Sequence, residues 1–127
     1  MVDIARRDLR ALQGMVADDE TFSDEVFGFH AQQAVEKALK AWLCLAVGDY
    51  PRVHDLEDLF RRLQDAHQEV PVSFLDLIEL VDFAVQYRYQ ASEEEWPLDR
   101  DRVCANVAAL LESVDARVAE AERRSGR

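Results

Sequence analysis

Only four glycines and three prolines punctuate the 127 residues, and most of them fall between stretches of helical periodicity. With so few breakers, the chain divides where the spacing i, i+3, i+4, i+7 of its apolar residues lapses. A first pattern runs over 3–17, with Ile4, Ala5, Leu9, Leu12, Met15 and Val16 on one face. Ser23 then offers an N-cap, because its hydroxyl can take up a free N–H of the next helix's first turn. The second pattern covers 24–47, with Ala31, Ala34, Val35, Ala38, Leu39, Trp42 and Ala46 on its apolar side. The stretch 48–51, Gly-Asp-Tyr-Pro, ends it. The third covers 55–67 and spaces Leu56, Leu59, Phe60 and Leu63 helically.

The fourth pattern, from about 72 to 87, narrows its polar residues to the single stripe Asp76, Glu79, Asp82 and Gln86, so it is expected to be the most enclosed helix. An acidic loop over 89–97 contains Glu93, Glu94 and Glu95. The fifth pattern opens after Asp99, a plausible cap, and carries Val103, Val107, Leu110, Leu111, Val114 and Val118. The charged residues 120–127 are expected to fray. No stretch alternates with period two. The expected fold is therefore all-α, an antiparallel bundle of about five helices forming one domain over 1–127.

About half of the residues are hydrophobic, a third are charged, and the formal net charge is −11. That balance excludes a disordered chain. It also argues against broad nucleic-acid binding, because an acidic surface repels phosphate backbones. No apolar run approaches the length that spans a bilayer, and 1–10 has no signal-peptide core, so no membrane association and a cytoplasmic location are expected. Cys44 and Cys104 lie inside apolar helical patterns and read as buried free thiols. The three histidines, His30, His54 and His67, have no metal-ligand spacing with one another or with the cysteines. No Gly-rich phosphate loop or nucleophile motif occurs, so neither a metal nor a cofactor is expected.

The second helix has another face. At 100° per residue, His30, Gln33, Lys37, Lys40 and Cys44 fall within a strip of roughly 80°, opposite the apolar centre. In so acidic a chain, two lysines on one strip can hold a phosphate or an acidic partner surface. The plainer reading is a solvated face with Glu36 pairing to Lys40 at i,i+4.

The run Phe29-His30-Ala31-Gln32-Gln33-Ala34-Val35-Glu36-Lys37-Ala38-Leu39-Lys40-Ala41-Trp42-Leu43 resembles the signature of HEPN domains, named for higher eukaryotes and prokaryotes nucleotide-binding. Two further landmarks agree in order and spacing. His54-Asp55-Leu56-Glu57-Asp58-Leu59 is similar to the family's histidine-led third helix, and Arg88-Tyr89 stands where its Arg-Tyr pair closes the fourth. Gln90 replaces the proline that often follows that pair.

The resemblance implies a helical bundle, commonly a homodimer, and a setting beside a minimal nucleotidyltransferase in toxin–antitoxin-like pairs. It also implies, for many members, a metal-independent ribonuclease using an Arg-x4-6-His motif. In that chemistry a histidine moves the proton of the 2′-hydroxyl or leaving oxygen, and arginine stabilises charge on the phosphate. Here the motif is broken. Counting from Arg88, the histidine positions are Glu93, Glu94 and Glu95, and no histidine follows His67. Three carboxylates repel a phosphate. Neither His30 nor His54 stands in the family's catalytic position, and no catalytic residue is assigned.

The functional expectation is a non-catalytic HEPN module. It dimerises, associates with a nucleotidyltransferase, and engages a nucleotide or phosphate through Gln33, Lys37, Lys40, Arg88 and Tyr89, with His30 and His54 as further family-matched positions. For Arg88 the alternative is an ion pair or a contact with the last helical carbonyls. For Tyr89 it is a packing role, and for His54 a structural hydrogen bond or a cap on the third helix. Two other functions remain open: a ribonuclease with displaced catalytic groups, and an interaction scaffold without a nucleotide site.

Overall fold

The computed structural model describes residues 2–16, 24–50, 52–86 and 99–126. They form α1 (Val2–Met15), α2 (Asp24–Val47), α3 (Leu56–Asp65), α4 (Val72–Gln86) and α5 (Arg100–Ser125), with no strand among the described residues. The all-helical bundle is as the periodicity predicts. Ser23, Tyr87, Arg88, Tyr89, Glu93, Glu94, Glu95 and Trp96 lie outside the described residues. No helix among the described residues is long and apolar enough to cross a membrane.

Local chemistry sets the helix ends. Asp55 caps α3, its carboxylate accepting from the N–H groups of Glu57 and Asp58 at 3.0 and 3.4 Å. The cap is therefore Asp55 and not His54, because a short carboxylate reaches back to the first free N–H groups. Asp99 caps α5 by accepting from Arg102 N–H at 3.1 Å. At the end of α2, Gly48 takes φ 86°, a left-handed conformation costly for a residue with a Cβ, and donates to the Cys44 carbonyl at 2.9 Å.

The end of α3 is less expected. His67 adopts φ 61° and donates to the Gln64 carbonyl, while Gln68 N–H reaches back to the Leu63 carbonyl at 3.0 Å. This pair of bonds is a Schellman closure with histidine where glycine is usual. The Gln68 side chain that follows accepts from the Trp42 indole N–H at 2.9 Å.

The core gathers around α2, which packs against all four other helices. Trp42, Phe27, Ala31, Ala34, Ala38 and Leu39 are fully enclosed. From the other helices come Leu12, the Leu56-Leu59-Phe60-Leu63 set, Leu77, Ile78, Val107, Leu110 and Val114. Each large side chain so buried contributes about 1.5–3 kcal/mol. The Arg117 guanidinium lies 4.0 Å from the centre of the Trp42 ring, closing the core on the α5 side. Arg100, itself buried, donates to the Met15 carbonyl at 2.7 Å and so ties the end of α1 to the start of α5.

One expectation about enclosure is corrected. The most enclosed helix is α2 and not α4. Val72, Ser73, Asp76 and Glu79 of α4 are exposed, and its fully buried residues are confined to Phe74, Leu77, Ile78 and Val81 among those described. A helix in contact with four neighbours has little solvent face left, whatever its polar residues suggest. The charged residues at the end of α5 continue the helix to Ser125. Glu120 pairs with Arg123 and Arg124 at i+3 and i+4, and these basic residues suit the negative end of the helix dipole.

Candidate functional site

The site grows from one turn of α2. Glu36, Lys37 and Lys40 follow within five residues, and the segment after Gly48 returns the chain so that His54, just before the α3 cap, meets them. Glu36 is 1 % exposed, a carboxylate that would be very costly to bury alone. Three groups compensate it. Lys37 Nζ and Lys40 Nζ each lie 3.4 Å from Oε2, and His54 Nδ1 lies 3.0 Å from Oε1. Lys40 is buried with Glu36, its ammonium 5.7 Å from the centre of the Tyr50 ring. Lys37 is three-quarters covered, whereas the His54 side chain is 80 % exposed.

Two ammonium groups against one carboxylate leave a local positive excess in a strongly acidic protein. Such an arrangement can capture an anion at the solvent edge, with Lys37 and His54 as the accessible groups and Lys40 supplying charge from behind. When Nδ1 donates to Glu36, Nε2 of His54 faces outward, an acceptor in the neutral ring and a donor to an anion in the protonated ring.

The charge changes sign nearby. Asp55 and Glu57 at the start of α3 act on Asp82 of α4. Burial first, then these two charges, push the Asp82 carboxyl up to about 6. The site is thus bounded by carboxylates on the α3–α4 side. Among the described residues, no group of three or more histidine, cysteine, aspartate or glutamate side chains is arranged to hold a metal ion.

The strip read from the sequence divides in space. Lys37 and Lys40 come together with His54, and Gln33 sits half-buried one turn earlier. His30 goes elsewhere. Its Nδ1 is buried 3.6 Å from an Asp8 carboxylate oxygen of α1, just beyond hydrogen-bonding distance, and its ring meets Phe29 edge-on. At Glu36 and Lys40 the face is not solvated: both are buried, Lys40 beside the Tyr50 ring and Glu36 beside His54. Cys104 is buried, and its burial with the nearby Asp101 raises its thiol, but Cys44 is only half-buried.

The organising residue that sequence reasoning placed only in a helical ion pair is Glu36. Its signal was present: a glutamate four residues before a lysine, inside the run that carries the family resemblance. That a histidine eighteen residues on would share the same carboxylate had no sequence signal.

No curated protein and no solved structure matches the chain. The family model described as HEPN domain matches residues 1–119, which include every helical element up to the last turns of α5, and the chain therefore belongs to the HEPN domain family.

Proposed function

We propose that this HEPN chain is a non-catalytic binding module that holds the phosphate of a nucleotide at Lys37, Lys40 and His54. One observation carries the reading: a buried carboxylate gathers two lysines and a histidine into a compact cationic site on an otherwise acidic protein. A single small anion fits that charge pattern better than a long nucleic acid backbone, which the remaining surface repels. Gln33 of the same strip, and Arg88 and Tyr89 by family resemblance, belong to the proposed ligand set. The module dimerises and associates with a minimal nucleotidyltransferase, in a toxin–antitoxin-like pair.

The broken Arg-x4-6-His motif supports the absence of ribonuclease chemistry. Thermal unfolding of the full chain with millimolar ATP, ADP or AMP tests the ligand, since binding to the folded state alone raises the melting temperature. A rise that Lys37→Ala diminishes supports the reading, and no rise with any nucleotide favours the scaffold alternative. Co-purification of a nucleotidyltransferase with the tagged protein tests the partner, and recovery of the chain alone counts against it.

One observation favours a second reading. An exposed histidine oriented by a buried carboxylate has the arrangement of a proton-transfer group, so a ribonuclease with displaced catalytic groups is the alternative. Metal-independent RNA cleavage that is abolished by both His54→Ala and Arg88→Ala would establish it. Absence of cleavage at high protein concentration would remove it.

A further inference from the structure

Leu43 and Val47 continue the α2 strip beyond Glu36 and Lys40 and border a shallow, solvent-open cavity of about 490 Å³ between the end of α2 and the end of α3. Ala66 completes its apolar lining, Tyr50 forms an aromatic wall, and Asp49, Asp65 and Arg62 stand at its polar rim. Its size lies within the range that takes small organic ligands. Tyr50 belongs to both places, because the same ring that lines the cavity has the Lys40 ammonium over it.

We propose that this cavity is the base subsite of the nucleotide whose phosphate the cationic cluster holds, and that it takes a purine bearing an exocyclic amine. The inference rests on the anion-binding reading and adds where the rest of the ligand goes. Distance allows it: Leu43 and Val47 follow Lys37 and Lys40 by one to three helical turns, about 5–15 Å along the axis, which brackets the reach from a nucleotide's phosphate to its base.

Charge fixes the direction. Two carboxylates outnumber one guanidinium at the cavity rim, and Arg62 is already held by Asp58 at 3.1 Å. A phosphate is therefore repelled from the cavity and drawn to Lys37 and His54. An amino group is drawn the opposite way, because a carboxylate accepts its N–H bonds. One Asp49 carboxylate oxygen accepts the Tyr50 backbone N–H at 2.8 Å, which leaves the other to accept from an amino group. The flat faces of the base pack on the exposed Val47 and Tyr50, as bases do on aromatic and apolar walls. Uracil, which lacks an exocyclic amine, loses the contact with the carboxylates.

The test is calorimetric titration of AMP, UMP and ribose 5-phosphate into the full chain and into Val47→Glu, with Lys37→Ala alongside. Val47 is 59 % exposed, so the glutamate is tolerated by the fold, and circular dichroism checks this. The expected result is AMP binding about tenfold or more tighter than ribose 5-phosphate. UMP should fall between them, and the AMP-to-ribose 5-phosphate ratio should collapse in Val47→Glu.

Equal binding of AMP and ribose 5-phosphate by the unsubstituted chain, or an unchanged ratio in Val47→Glu, overturns the base subsite. The anion reading then survives provided Lys37→Ala weakens both ligands. UMP binding as tightly as AMP overturns the assignment of an amino-bearing base. Absence of binding by all three ligands overturns both readings together.

Discussion

His54 Nδ1 lies 3.0 Å from the Glu36 carboxylate and joins the start of α3 to the middle of α2 across eighteen residues of chain. The relationship is asymmetric. Glu36 is sealed from solvent and His54 is largely open to it, so the carboxylate fixes the ring while the ring's far side remains available. The same carboxylate steadies Lys37 and Lys40. The cluster depends on Glu36 for its geometry, and in the proposed function Lys37 and His54 make the contact with the ligand.

Removing Glu36 alone leaves Lys40 buried with its charge uncompensated. Glu36→Ala should cost about 3 kcal/mol of stability, measured by urea unfolding. Replacing the buried pair together, as Glu36→Leu with Lys40→Met, should recover most of that loss, because apolar groups of similar volume do not carry the desolvation penalty. A double variant no more stable than the single one would contradict the pairing.

Asp82 makes stability depend on pH. Its folded-state pKa of about 6 lies above the ordinary carboxylate value, so the folded protein holds this proton more tightly than the unfolded chain. The stability contributed by this group is fully present below its ordinary value and is lost as pH rises through about 6. Asp82→Asn removes the penalty. It should be more stable than the unsubstituted chain by about 1 kcal/mol at pH 7.5, a figure reduced for solvent screening of a half-buried group, with the difference vanishing near pH 4. Thermal unfolding at the two pH values measures it, and a difference independent of pH would exclude the mechanism.

His67 occupies a left-handed position at φ 61°. His67→Gly should stabilise the protein by about 0.5–1 kcal/mol, the relief of Cβ strain exceeding the added freedom of the unfolded chain. Chemical denaturation reads the change. Destabilisation would show that the imidazole itself contributes more than the conformation costs.

The parts of the fold set by local rules were legible in the sequence. Asp99 declares the start of α5 by its place before an apolar-periodic run, and Leu56, Leu59, Phe60 and Leu63 declare the inner face of α3 by spacing alone. Enclosure was not legible. A helical wheel orders the residues of one helix but does not count the neighbours around it, so Glu36 and Lys40 read as solvent-facing on a helix that four others surround. The lysines, and His54 as a family-matched position, were found by charge and motif. The convergence of His54, Tyr50 and Glu36 depends on the path of the chain from α2 to α3, which no spacing within either helix encodes.

The correction changes the choice of variants. Lys40→Ala disturbs a buried ion pair and confuses binding with stability, whereas Lys37→Ala leaves Lys40 on the same Glu36 oxygen, and His54→Ala, which removes a partner of the buried carboxylate, is read beside its own unfolding curve.

The most direct measurement is the affinity of the full chain for ATP by titration calorimetry at low salt, compared with Lys37→Ala and His54→Ala. The account predicts saturable binding to the unsubstituted chain, weakened about tenfold or more in each variant, as loss of a charge-assisted contact of about 1.5–3 kcal/mol requires. Binding of equal strength in all three proteins, or none in the unsubstituted chain, would contradict the assignment of this cluster as the nucleotide phosphate site.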